Sequence, residues 1–559
     1  MKKFAIGIAL LGSSLALSND QEAMLRNADT IQNIVTTLYA PLEWKKNYGF
    51  ELEQKIADLK TAVTANPQMS TRQYQEEVSK FFLSMKDYHV SVSFISTESA
   101  TLPLEVKRAQ DRFFLVYVDR NQLPKDSYPF EVGDELVSFG GRPPLEVVSE
   151  IEASLGQNTK ATDEALATML LTRRSRARMP MDVPHGTINL VFKRGEQAIA
   201  RQLIWDYKPE SVVNPTVSRP FVARARTAAD FAAKLTNTQM VSPLAEYLSE
   251  SNVADDNPHR LGAKVDFVPS LGKKLWKNPG DGQFDAYIYE NAKGKKIGYI
   301  RISRYLPENP EAAVIEFANH MAKFQQEVDG LVIDQMNNPG GSIFYLYALA
   351  STLTDRPLYA PKHRISITPK DVLEAKNGLS MFEAITDNNM AREALGQTLH
   401  GYPVNYQLAL FLREFLTFTV DQWEAGKRIT DPTHIYAVDQ INPYPTAQFT
   451  KPILFLINEL DFSGGDFMPA ILQDNDRITT LGVRTAGAGG YIVGVTYPNY
   501  LGIEQFTVTG SIAQRIDANP IENLGVTPDL EYKLTPEDYQ NGFAPFASKI
   551  KATMDSMLE

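Results

Sequence analysis

Cysteine is absent from all 559 residues. That excludes a disulfide framework, a zinc–thiolate site and a cysteine nucleophile, so a chain of this size has to be held by hydrophobic cores alone. No lysine-rich or arginine-rich block occurs and the net charge is −11, so the basic face that a nucleic-acid partner asks for is missing. Histidine is limited to seven residues, which leaves few candidates for a general base. Beyond the N-terminus no apolar run is long enough to cross a bilayer, and stable membrane insertion is not expected.

What is present is an ordinary globular composition, 43% hydrophobic and 22% charged, with length for roughly three or four domains. Residues 1–18, MKKFAIGIALLGSSLALS, join Lys2 and Lys3 to a short apolar run and to small residues at Ala16 and Ser18. This is the pattern of a secretory signal, and it predicts an exported protein without deciding between periplasm, medium and host cell.

Residues 19–92 read as a helical region. Ser70 and Gln73 have capping-box spacing ahead of Tyr74, Val78, Phe81 and Phe82 at helical intervals. The period then changes in HVSVSFI, where Val90, Val92 and Phe94 share one face of a strand and His89 opens it on the polar side. Residues 93–206 read as short strands and turns with two helices, and Gly133, Asp134, Gly140 and Gly141 follow the glycine-aspartate turn of a PDZ-like domain. Such a module takes extended peptide at a sheet edge. In 207–285 prolines and polar stretches dominate, predicting a linker or an inhibitory pro-segment. From 286 to 559 strands alternate with helices, the mark of an α/β layer.

Two units in that last region share one design. LVIDQ runs into Asn338, Pro339, Gly340 and Gly341, and LFLIN runs into Ser463, Gly464 and Gly465. Both strands are apolar on both faces, as fully buried parallel strands are. The second turn leads into a helix whose first turn accommodates Pro469. If the strands are parallel neighbours, their loops leave the same sheet edge, and N–H groups of Gly341 or Gly340 and of Gly464 converge on one oxyanion. On its own Ser463 fits a helix cap as well as a nucleophile, and His89 ranks level with His363 as a base.

NNPGG, DFSGGD, the turn Thr485–Gly490 and the final ENLGVTPD together resemble the S41 tail-specific serine peptidases, and within them the chlamydial protease-like activity factor group. The similarity runs from about Asp87 to Asp529. It implies an α/β, multidomain α+β architecture: a helical region, a PDZ-like domain and a crotonase-like catalytic core. It also implies a secreted serine endopeptidase with Ser463 as nucleophile, His89 as base and Glu522 as the carboxylate that orients the base. Many S41 members use a serine–lysine dyad, but Ala488 stands where that lysine would be, so another base is required. His89 suits the task, because a near-neutral imidazole can take the serine proton and a carboxylate can fix its tautomer. Glu522, between Pro520 and Gly525, also reads as a solvated loop charge. The resemblance further implies protein substrates, host proteins among them, a self-cleaving zymogen and a homodimer; no metal or cofactor is expected. A catalytically inactive S41-fold binding protein and a PDZ-type peptide scaffold are the alternative readings.

Overall fold

Seven strands form the central sheet of the C-terminal half, in the order Lys273–Lys277, Ala286–Glu290, Lys296–Arg301, Gly330–Asp334, Ile453–Ile457, Thr479–Gly482 and Leu530–Glu531. The first three pair antiparallel, and from Lys296–Arg301 onward every pairing is parallel. The coordinates are a computed structural model that describes residues 2–156, 158–179, 181–211, 233, 241, 243–249, 257–280 and 282–559.

The two apolar runs are central strands because both of their faces are covered. Leu331, Ile333, Ile453, Phe455 and Ile457 enter a core with Phe317, Leu346, Phe467 and Ile471. Val332, Leu454 and Leu456 enter a second core on the other face with Phe546, Ile550 and Met554 of the C-terminal helix Ala544–Met557. Burying each large side chain contributes about 1.5–3 kcal/mol, and a strand with no polar face is stable only in such a position. Leu331 pairs with Ile453 and Asp334 with Leu456, so the strands end level and their loops leave at one edge of the sheet.

Two further units stand on that edge. One is a five-stranded antiparallel sheet, ordered Leu104–Ala109, Arg112–Val118, Glu135–Phe139, Thr187–Arg194 and Gln197–Ile204, with helices Pro144–Ala153 and Lys160–Met169. Its core takes in Leu460, Phe462, Ala486 and Ala488 from the C-terminal half. The other is built of the helices Lys2–Leu38, Leu52–Ala65 and Thr71–Leu83, the last with its Ser70–Gln73 capping box. These helices pack on a three-stranded sheet of Ser91–Phe94, Ile503–Thr509 and Ile492–Val495. Two of its strands therefore come from the far end of the chain. The architecture is the expected α/β core with a helical region and a PDZ-like unit.

Two local expectations are corrected. His89 does not open a strand; it lies in a turn before Ser91–Phe94, and its carbonyl accepts from Thr507 Oγ1 at 2.7 Å. Pro469 is not in the first turn, because the helix already starts at Gly464. The proline cannot donate to the Gly465 carbonyl, and Gln335 Nε2 supplies that bond instead at 2.7 Å. Much of the expected linker or pro-segment at 207–285 falls outside the described residues.

Phe506 is fully buried between the helical unit and the strand pairing that carries His89. Phe506→Ala is expected to cost about 3–5 kcal/mol of local stability. Denaturant unfolding of the variant beside the wild type checks it.

Candidate active site

Ser463 follows directly from the strand-to-turn geometry. It caps the helix Gly464–Asp474 with φ 53° and ψ −109°, a backbone conformation L side chains rarely adopt. Such strain costs roughly 1–3 kcal/mol and persists only where the surroundings over-determine it. The surroundings here are two buried carboxylates. Asp461 accepts from the amides of Asn338 at 3.0 Å and Asn458 at 2.9 Å and from Gln335 Nε2 at 3.1 Å. Asp466 accepts from the amides of Ser463 at 2.9 Å, Gly487 at 2.8 Å and Ala488 at 2.9 Å, and from Thr485 Oγ1 at 2.5 Å. Burial pushes Asp466 up to about 6 even though all four donors favour its anion.

The glycine loop lies against the serine. A Cβ on Gly340 would stand 2.8 Å from both Ser463 Cβ and the Phe462 carbonyl oxygen, and one on Gly341, at φ 149°, would strike the Tyr305 backbone. A Cβ on Gly464 would be 3.3 Å from the Gly341 nitrogen, which brings those two residues side by side. Of the three expected oxyanion donors, Gly340 is already spent: its N–H donates to Asn338 Oδ1 at 2.9 Å. The amides of Gly341 and Gly464 donate to no acceptor among the described residues. This pair can hold an oxyanion beside Ser463.

His89 reaches the same edge. Tyr88 and Phe462, the residues just before His89 and Ser463, pack edge to face with ring centroids 5.5 Å apart. Ser463, His89 and Glu522 are all 0% exposed. Neither His89 ring nitrogen nor the Ser463 hydroxyl has a hydrogen-bond partner among the described residues. Burial, with a further contribution from Lys45, lowers His89 to about 4, against the opposing pull of Asp87. The imidazole is therefore a neutral base.

Glu522 is no solvated loop charge. Its Oε2 accepts from the Gly489 amide at 3.0 Å and its Oε1 from the ammonium of Lys45; it makes no hydrogen bond to His89. Burial and Asp87 push Glu522 up to about 8, while Lys45 and the Gly489 amide pull it down. Asp87 accepts from the His89 amide at 2.8 Å, Thr509 Oγ1 at 2.7 Å and Tyr39 Oη at 3.0 Å. A chain of bonds thus runs from the histidine turn through Lys45, Glu522 and the 487–489 loop to Asp466 and Ser463. His363, the other candidate base, stacks on Phe467 and meets Ser511 Oγ at 3.2 Å. Among the described residues no group of three or more histidines and acids is arranged to hold a metal ion.

Sequence reasoning passed over Lys45, Asp87, Asp461 and Asp466. Only Asp466 carried a signal, the Ser-x-x-Asp spacing of a capped helix.

A serine at a strand-to-helix turn, two adjacent glycine amides and a buried neutral histidine are the parts of an acyl-transfer site. Residues 296–532 match peptidase family S41, and residues 98–213 match a PDZ domain. The chain belongs to peptidase family S41 and is a serine protease. An uncharacterized protein of Chlamydia muridarum (strain MoPn / Nigg) is 33% identical over 585 residues, covering 99% of this chain and 95% of that one. A protein of Chlamydia trachomatis serovar D is 32% identical, with 98% and 94% covered. Among solved structures, mature CPAF complexed with lactacystin superposes with a TM-score of 0.82 at 31% identity, covering 96% of this chain and 99% of that one. A CPAF serine mutant gives 0.84 at 31% identity, with 96% and 98% covered.

Two outcomes are expected. In Ser463→Ala protein, NMR titration should find the His89 imidazole neutral well below pH 6.5. Asp466→Asn should lose activity and melt at lower temperature, because an amide cannot accept from all four donors.

Proposed function

We propose that this protease is a secreted endopeptidase made as a self-inhibited precursor that cuts itself within 207–285, and that it works as a homodimer on protein substrates, host proteins among them. The observation that carries the reading is the bridge between Val241 and Gly340, which lays a residue of the supposed pro-segment against the oxyanion loop. Val241, Leu244, Ala245, Tyr247 and Leu248 pack in the same core as Phe462, Ala486 and Ala488. The complete burial of Ser463 and His89 also supports an occluded state. Export rests on the N-terminal pattern Lys2–Ser18, and the dimer and host targets on the likeness to the chlamydial group.

In the active form Ser463 Oγ attacks the peptide carbonyl while His89 takes its proton, a step worth roughly 10²–10⁴ in rate. The Gly341 and Gly464 amides bind the developing oxyanion; removing one such donor costs about 10²–10³. His89 then protonates the leaving amine, and water, activated by the same imidazole, hydrolyses the acyl-enzyme. Glu522 and Asp87 stabilise the transient imidazolium.

Purified wild-type protein incubated over time should release fragments whose new N-termini map to 207–285. Ser463→Ala and His89→Ala should stay intact, folded and inactive on casein. Casein cleavage by either variant would overturn the assignment of the nucleophile or base; activity without cuts in that window would overturn the precursor reading.

A further inference from the structure

Lys45 ends the short helix Leu42–Lys45, in the N-terminal region that neither family match covers, and is 0% exposed. All three bonds of its ammonium are used: on Glu522 Oε1, on Asn523 Oδ1 at 2.8 Å and on the Lys86 carbonyl at 2.7 Å. Asp87 Oδ2 is 4.0 Å away. The clamp is braced from outside. Trp44 Nε1 also donates to Asn523 Oδ1 at 3.1 Å, and Asn523 Nδ2 donates to the Lys86 carbonyl at 2.8 Å. The acceptors of Lys45 are therefore Glu522, its neighbour Asn523, and the carbonyl three residues before His89.

Burying an ion pair is seldom the most stable way to fill a core, since apolar residues of similar volume often do as well or better. A lysine retained in such a place calls for a reason beyond stability. The groups that face the cluster are Tyr39 on Asp87, the Tyr48 ring 5.9 Å from Lys45 Nζ, Arg484 on the Asn523 carbonyl at 3.4 Å, and His89 itself. Within it one ammonium stands against two carboxyl groups, beside the imidazole.

We propose that Lys45 is a positioning residue for catalysis: its ammonium clamps the Glu522 carboxyl at a fixed distance from the Lys86–His89 turn, so the N-terminal helices supply part of the charge relay. This rests on the reading of Glu522 as the relay carboxylate. Lys45 is a force that pulls the Glu522 titration down. Without it the carboxylate keeps its proton to higher pH, and the relay switches on later.

The test is the pH dependence of kcat for the full-length protease, activated in the same way for each variant. Lys45→Met is expected to reduce kcat at pH 7 by up to about 100-fold, the loss that mis-set geometry alone can cause, with little change in KM. Its activity should rise with pH along a limb displaced upward from the wild-type one. Lys45→Arg should restore part of the rate and move the limb back. Lys45→Met combined with Glu522→Gln should be no slower than Glu522→Gln alone, and neither should show the limb. An equal loss at every pH, or losses that multiply in the double variant, would overturn the proposal. If Lys45→Met does not fold, Lys45→Gln, which keeps two donors without the charge, is judged by the same profile. A fully active Glu522→Gln would instead overturn the relay reading on which the proposal stands.

Discussion

A single carboxylate, Asp466, holds the catalytic edge together. It takes four donors from two loops, the Ser463 amide on one side and Thr485, Gly487 and Ala488 on the other. Without those bonds the serine would have no reason to stay at φ 53°, and the 487–489 loop would not present the Gly489 amide to Glu522. Asp461 does the corresponding work between the serine and glycine loops. Neither side chain is placed to touch a substrate. Both turn flexible glycine-rich turns into a fixed constellation, which is the requirement for an oxyanion site to act without reorganising.

The histidine arrives by a different route. Ser91–Phe94 adds to Ile503–Thr509, and Thr507 and Thr509 bond the His89 carbonyl and Asp87. Helices from the beginning of the chain close over this pairing, with Phe81, Phe82 and Phe506 in one core. The PDZ-like unit shares its own core with Phe462 and Ala488. All three units thus meet where the reacting groups are, and none is a detachable appendage. A polar site buried between apolar cores is costly to form, and that cost explains the density of fully satisfied charges around it.

The strands, glycine loop and serine turn could be read from the chain because their determinants are local: apolar runs of strand length, glycines where a Cβ would collide, and a turn ahead of a helix. The pairing of the two parallel strands followed from their shared design. What could not be read was the wiring. Lys45 looks like any surface lysine of a polar helix, Asp87 like a turn residue, and Glu522 like a loop charge, since burial across more than four hundred positions leaves no periodic trace. Gly340 looked as able a donor as Gly341 until Asn338 was seen to hold its amide. The displacement of Pro469 into the helix had a similar cause, for its compensating donor, Gln335, sits on another strand.

The ladder between Ser91–Phe94 and Ile503–Thr509 also sets a clock. His89 and Thr507 are 418 positions apart, and at a synthesis rate of ~5–20 residues per second the second leaves the ribosome roughly 20–80 s after the first. Until then the histidine turn has no strand to lean on, and the serine loop stands without the imidazole. A nascent chain of this protease therefore lacks the assembled constellation until nearly all of it has been made.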